Sequence, residues 1–231
     1  MAPENTLASF QAAWELGVRV MELDVHLTRD GELVCLHDDR LDRVTADWGP
    51  VSDWDWPALE QVPVMPGAFG GRYPDARIPR LADVLAALPA ECGYLVELKR
   101  DLARPQQLVD TTLEVIRAAG AGSRCRLISF ETDLLRRARS RLPELDNPAA
   151  PGLGVLVGAR EGDVLLPRAR EVQATALHPH HSLVDAELVA TAQREGFLIS
   201  TWTVNQGGPA RRLAQLGVAE ITTDDPAALS A

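Results

Sequence analysis

Two carboxylates set two residues apart, in Glu22-Leu23-Asp24, are the first residues here whose spacing could do chemistry. In an extended strand, residues two apart point to the same side. Both acids therefore face one way and Leu23 the other. Two unpaired carboxylates that close repel, and one stays protonated unless a cation lies by them. A hard divalent ion with oxygen ligands is one solution; a salt-bridge cluster at a sheet rim is the other. Glu97-Leu98-Lys99 repeats the pattern on a later strand. Glu97 could complete a ligand set, and Lys99 would lie on the same side, placed to hold a phosphate oxygen. Taken alone, the same tripeptide reads as an internal Glu–Lys pair. His37-Asp38 ends a short strand, and a histidine titrates near neutral pH, as a general acid or base must. A lone histidine at a strand end is more often a plain surface residue, but this one returns over the carboxylate pair.

Two further groups stand near strand ends. His178, His180 and His181 form a dense run, His-Pro-His-His. No additional ligand motif supports zinc there, and a rim or substrate-contact role for His178 is the better reading. Trp202, in Trp202-Thr203-Val204-Asn205, is either the wall of a pocket or ordinary core.

The elements that must position these residues alternate. Strand-like runs lie at Met21–Val25, Leu33–His37, Tyr94–Leu98, Arg126–Phe130, Gly154–Gly158, Thr175–His178, Ile199–Val204 and Glu220–Thr223. Helical patterns lie at Thr6–Leu16, Leu81–Leu88, Gln106–Ala119, Asp133–Arg141, Asp185–Glu195 and Pro209–Leu216, with Asn5 as the expected cap of the first and Gly17 as its stop. Such β–α alternation means a parallel sheet with crossover helices. Leu33–His37 is the exception. The short link Leu27–Glu32, with its Asp30-Gly31 turn signal, is too short for a parallel crossover, so this strand folds back antiparallel on the one before it. The segment 41–79 holds Trp48, Trp54 and Trp56 with several prolines and glycines and is too long for a bare connection. It reads as a small inserted subdomain within a single domain spanning 1–231, or else as an irregular surface loop.

Composition excludes several classes of function. The 231 residues are 46% hydrophobic and 24% charged, enough for a sizeable core. The net charge of −10 repels phosphate backbones and anionic lipid, so nucleic acid and stable membrane insertion are not expected. Small anionic substrates remain open where a cation sits locally. Three scattered cysteines, Cys35, Cys92 and Cys125, suggest reduced thiols and a cytoplasmic setting, with no signal segment visible in the sequence given. Oligomeric state is not legible.

Together, Pro3-Glu4-Asn5-Thr6, the run from Glu22 to Gly31, His37-Asp38, Glu97-Leu98-Lys99, Ile128-Ser129-Phe130, Trp202-Thr203-Val204-Asn205 and Thr222-Thr223-Asp224-Asp225-Pro226 resemble the glycerophosphodiester phosphodiesterase family. The combination is specific and runs in order over nearly the whole chain. The resemblance implies a TIM (β/α)8-type barrel with a small insertion after the His-Asp hairpin. It implies a Mg²⁺ or Ca²⁺ ion at positions matching Glu22, Asp24 and Glu97, and hydrolysis of small glycerophosphodiesters to glycerol 3-phosphate and an alcohol. His37 matches one of the family's two catalytic histidines, and Lys99 a residue near the phosphate. The alternative is a relative that binds metal and a phosphorylated ligand without turning it over. A phospholipid substrate is disfavoured by the negative charge and the lack of a basic amphipathic helix.

The family begins with a strand ending in His-Arg-Gly, shortly before Pro-Glu-Asn-Thr, and the sequence given holds no match to it. The strand count agrees, with parallel members starting near 21, 94, 126, 154, 175, 199 and 220 where a closed barrel has eight. A late start codon, a shortened chain or a degenerate relative would each give this pattern. The expected α/β fold is thus a TIM-type barrel lacking its first strand, with unpaired edges on the strand of Glu22 and on the last strand. Such a chain should melt low or aggregate, and should hydrolyse glycerophosphodiesters slowly, because one acid–base partner supplies roughly 10²–10⁴ in rate. Adding an N-terminal strand that ends in His-Arg-Gly should raise both melting temperature and glycerol 3-phosphate release; equal values for the two forms would show that strand to be dispensable.

Overall fold

Alternating apolar runs and amphipathic segments along this chain fold as parallel strands joined by helices. The computed structural model describes residues 2–65, 67–142 and 149–229. The chain divides into two compact units, Met1–Cys125 and Arg126–Ala231.

In the first unit, helix α1 (Leu7–Glu15) precedes strand β1 (Val20–Leu27), which is followed by β2 (Leu33–Cys35), the short α2 (Trp56–Leu59), α3 (Leu81–Ala87), β3 (Gly93–Leu98) and α4 (Pro105–Ala118). Thr6, not Asn5, caps α1. The Thr6 Oγ accepts from the Ser9 N–H at 3.2 Å, while Asn5 adopts a left-handed φ of 51° and turns its side chain elsewhere. Gly17 does end the helix. At φ 91° it donates its N–H to the Trp14 carbonyl at 2.9 Å, a conformation glycine adopts without steric cost.

The expected hairpin forms. β2 runs antiparallel to β1, with Val25 opposite Cys35 and Leu27 opposite Leu33. The turn is held by Thr28, whose N–H donates to the Glu32 carbonyl and whose hydroxyl donates to Asp30. β2 stops at Cys35 rather than His37, because the Asp24 N–H that would continue the ladder donates instead to Asn5 Oδ1 at 3.2 Å. Leu36 still donates to the Asp24 carbonyl at 3.1 Å, which tethers the chain one residue before His37. β1 pairs parallel with β3, Asp24 beside Glu97. The segment after the hairpin forms its own apolar cluster: Leu41, Val44, Val51, Leu59, Val62, Val64, Ala76 and Ile78 close on Val34 and Leu36 of the hairpin. Trp54 and Trp56 pack against that cluster, whereas Trp48 is exposed.

The second unit runs β4 (Cys125–Ser129), α5 (Thr132–Arg141), β5 (Gly152–Val157), α6 (Gly162–Glu171), β6 (Ala176–Pro179), α7 (Ala186–Glu195), β7 (Leu198–Thr201), α8 (Gly207–Leu216), β8 (Glu220–Ile221) and α9 (Pro226–Leu229). Its strands pair parallel in sequence order. Helix α6 has no counterpart in the elements read from the sequence. Its interior Pro167 and leading Gly162 argue against a helix, yet Leu165 and Ala169, four apart, bury one face and hold it. Arg126 on β4 donates to Glu220 on β8 at 2.7 Å, linking the first and last strands of this unit.

Gly154 on β5 lies under the ring of His178. An added Cβ there would fall 2.5 Å from His178 Cδ2 and 3.1 Å from Ile128 Cγ2. Gly154→Ala should therefore cost about 1–3 kcal/mol through forced displacement of a buried ring, read as a lower urea midpoint; an unchanged midpoint would mean that the ring moves freely.

Candidate functional site

The register of β1 on β3 builds the site. Asp24 and Glu97 are cross-strand neighbours, and Glu22 lies two residues back on the same side of β1. One carboxylate oxygen from each of the three lies within 4.8 Å of the other two. Asp24 and Glu97 are buried and Glu22 is half-buried. Lys99, two residues beyond Glu97, places its Nζ 2.8 Å from Asp24 and 2.9 Å from Glu97. Asn5 completes the setting of Asp24: its Nδ2 donates to the carboxylate at 2.8 Å, and its Oδ1 accepts from the Asp24 N–H at 3.2 Å.

Three acids and one ammonium leave the cluster formally negative, and its protonation reflects that. Burial, reinforced by the neighbouring Asp24, outweighs the pull of Lys99 and pushes Glu97 up to about 7. Burial alone would lower Lys99, but the charges of Asp24 and Glu97 overcome it and raise its pKa. Ligands at 2.3–2.6 Å from one hard cation stand up to about 5 Å apart. The observed spacing and the all-oxygen donor set therefore fit a divalent ion such as Mg²⁺ or Ca²⁺. Among the described residues these three acids form the group of metal-ligating side chains close enough to share one ion.

His37 lies just past the hairpin ladder and is exposed. Its Nδ1 lies 2.7 Å from Asp38 Oδ1. Hydrogen bonds from Arg43, then from His37, hold the Asp38 carboxyl at about 2. An ionised carboxylate only accepts, so His37 Nδ1 carries a proton and donates it to Asp38. His26 was not among the residues singled out from the sequence. It continues the alternation Glu22, Asp24, His26 on β1, the one signal that could have found it. Burial lowers its pKa and keeps it neutral, and its Nε2 faces the His37 carbonyl at 3.4 Å.

In the second unit, Trp202 is half-buried and donates its Nε1–H to the His178 carbonyl at 2.9 Å. Phe130 and His180 meet the indole edge-on, at 5.4 Å and 5.3 Å between ring centres. The His178 side chain does not lie at a rim. Its ring is enclosed, held neutral near 3 by burial and then by Arg126, and its Nε2 has no hydrogen-bond partner. His180, not the ring of His178, shares the aromatic group with Trp202.

Residues 1–228 match the model of the Glycerophosphoryl diester phosphodiesterase family. The chain is 32% identical over 231 residues to a glycerophosphodiester phosphodiesterase of Caldanaerobacter subterraneus, covering 98% of this chain and 90% of that one. It is 25% identical to a glycerophosphodiester phosphodiesterase of Bacillus subtilis, over 97% of this chain and 80% of that one. Among solved structures, an Oleispira antarctica phosphodiesterase in complex with the product sn-glycerol-3-phosphate superposes with a TM-score of 0.87 at 26% identity, over 99% of this chain and 90% of that one. A glycerophosphodiester phosphodiesterase from Agrobacterium tumefaciens superposes with a TM-score of 0.83 at 23% identity, over 100% and 94%. The fold class is α/β of the TIM-barrel type.

The raised Glu97 sets a pH dependence. Burial holds its carboxyl above the ordinary carboxylate value, so the folded chain binds more protons than the unfolded one between the two values. With a chelator present, stability should fall as pH rises from the ordinary carboxylate value through the raised one of Glu97. A bound divalent cation favours the ionised carboxylate and should cancel or reverse that slope. Thermal melts of the parent and of Glu97→Gln at several pH values check this; an identical slope in both would show that Glu97 does not titrate in this range.

Proposed function

We propose a function from one premise: the chain belongs to the glycerophosphoryl diester phosphodiesterase family. It hydrolyses small glycerophosphodiesters to glycerol 3-phosphate and an alcohol. The observation that carries this reading is the convergence of Glu22, Asp24 and Glu97 beside Lys99, with His37 tethered to the same strand through Leu36. The glycerol 3-phosphate bound to the Oleispira antarctica relative supports the substrate class.

Glu22, Asp24 and Glu97 hold a divalent cation, Mg²⁺ or Ca²⁺, which when bound would neutralise phosphate charge and polarise a phosphoryl oxygen. Lys99 keeps its proton and offers a second positive charge to a phosphate oxygen. The low-dielectric setting of Asp24 and Glu97 strengthens both interactions. A phosphorus–oxygen bond to the alcohol breaks as an attacking hydroxyl, from water or from the substrate's own glycerol, bonds to phosphorus. In net balance, water supplies the new oxygen on phosphorus and a proton to the departing alkoxide. His37 moves that proton at Nε2, while Asp38 holds Nδ1–H and thereby the productive tautomer. Within the second unit, Trp202 offers an aromatic face to the substrate, and the His178 carbonyl fixes the indole by accepting its Nε1–H. No helix of the described residues is long and apolar enough to cross a membrane.

Glycerophosphocholine incubated with the protein and Mg²⁺ or Ca²⁺ should release glycerol 3-phosphate, and a chelator should abolish the release. Asp24→Asn should lose cation dependence together with activity, and His37→Ala should lose about 10²–10⁴ in kcat. Cation binding without any product release would favour the binding-only relative and overturn the enzymatic reading.

A further inference from the structure

Four charged or titratable side chains form a continuous line from the N-terminal segment to His37. Arg43 lies in the segment after the hairpin, and its guanidinium bridges two carboxylates. Nη1 and Nη2 donate to Glu4 at 2.8 Å and 2.5 Å. Nε and Nη2 donate to Asp38 at 2.7 Å and 3.2 Å. Asp38 in turn accepts from His37 Nδ1 at 2.7 Å. Each carboxylate thus receives two hydrogen bonds from one planar fork, an arrangement a lysine cannot copy.

We propose that Glu4 and Arg43 are positioning residues for His37, acting through Asp38 to fix the orientation and tautomer of its imidazole. The proposal rests on the reading of His37 as the proton-transfer group. Three observations carry it. All four side chains are partly open to solvent, with 43% of the Arg43 side chain exposed, and exposed ion pairs contribute little to stability. The network therefore acts on geometry. An exposed imidazole on a loop has no packing to fix it, so its direction is set by Asp38, and the direction of Asp38 by the second carboxylate–guanidinium pair. Finally, Glu4 is followed by Asn5, which holds Asp24 through two hydrogen bonds. Adjacent residues of the N-terminal segment thus reach the proton-transfer side and the carboxylate side of one site and set the spacing between them. The left-handed φ of 51° at Asn5 lets these two neighbours turn to different targets.

The test compares Glu4→Gln, Arg43→Gln and Arg43→Lys with the parent, each also placed on a His37→Ala background. Substrate is glycerophosphocholine with Mg²⁺. Glu4→Gln and Arg43→Gln should lower kcat about 10–100-fold, the range found when partners that orient a functional ligand are removed. KM and the Mg²⁺ concentration for half activation should stay within about twofold, and melting temperature should change little. Arg43→Lys should fall between. On the His37→Ala background the same substitutions should cost nothing more. Independently of turnover, ¹⁵N NMR of the neutral His37 ring should show Nδ1–H in the parent and a shift toward Nε2–H in Glu4→Gln and Arg43→Gln. Loss of activity in His37→Ala without any loss in the Glu4 and Arg43 variants would overturn the positioning role and leave the proposed function standing. A His37→Ala chain as active as the parent would overturn the reading of His37 and the clamp with it. An unchanged tautomer in the variants, whatever their melting temperature, would also overturn the proposal.

Discussion

Mutual repulsion among three carboxylates is the constraint to which the rest of the first unit answers. The parallel register of β1 on β3 forces Asp24 and Glu97 side by side, and the strand period adds Glu22. In water such a cluster would spread. Here the strand backbones are held by their ladder, so the acids cannot move apart. The tension is relieved chemically instead: Lys99 inserts its ammonium between two of them, Asn5 satisfies Asp24, and Glu97 holds its proton up to about 7. A site with surplus negative charge and oxygen donors in fixed positions is prepared for a small divalent cation, because the cost of assembling the ligands is met by folding rather than at binding.

The apolar packing explains how that tension is sustained. Leu23, Val25 and Leu27 alternate with the acids on β1 and are wholly buried. The cluster of residues 41–78 closes over Val34 and Leu36 of the hairpin, which clamps β2 on β1. Arg104 at the start of α4 donates to the carbonyls of Leu27 and Thr28, satisfying the end of β1 where the ladder runs out. The inserted segment is thus not an ornament on the site. It supplies the hydrophobic weight that keeps the hairpin, and with it His37, from lifting away.

What was legible in the sequence was whatever depends on local period. The same-side placement of Glu22 and Asp24, the fold-back at Asp30-Gly31 and the β–α alternation all follow from residues within a few positions of one another. What was not legible depends on contacts across the chain. Asn5 looks like a helix cap, and only the fold brings it to Asp24, 19 residues away, where it makes two hydrogen bonds. Glu4 and Arg43 are 39 residues apart and carry no mutual signal. His26 continues the alternation on β1 but lies beyond the acidic pair, and a lone histidine there carries no signal of its own. Helix α6 was hidden because Pro167 and Gly162 argue against a helix and only tertiary burial of Leu165 and Ala169 overrides them. His178 stood at a strand end, where a rim position is reasonable. Gly154 on the neighbouring strand leaves room for its ring to fold inward instead.

The division of labour within the site follows from opposite physical needs. Charges interact more strongly where water is excluded, and Asp24 and Glu97, the cation ligands we propose, are buried. A proton-transfer group, the role we propose for His37, must exchange its proton with solvent between turnovers, and His37 is exposed. Its orientation has to come from charge-assisted hydrogen bonds that work in contact with water. Lone exposed pairs are too weak and mobile for that. A planar guanidinium gripping two carboxylates loses less freedom per bond formed, because each bond restrains groups already held by the others. The line Glu4–Arg43–Asp38–His37 meets that need, and Asn5, next to Glu4 in the chain, joins it to the buried half of the site.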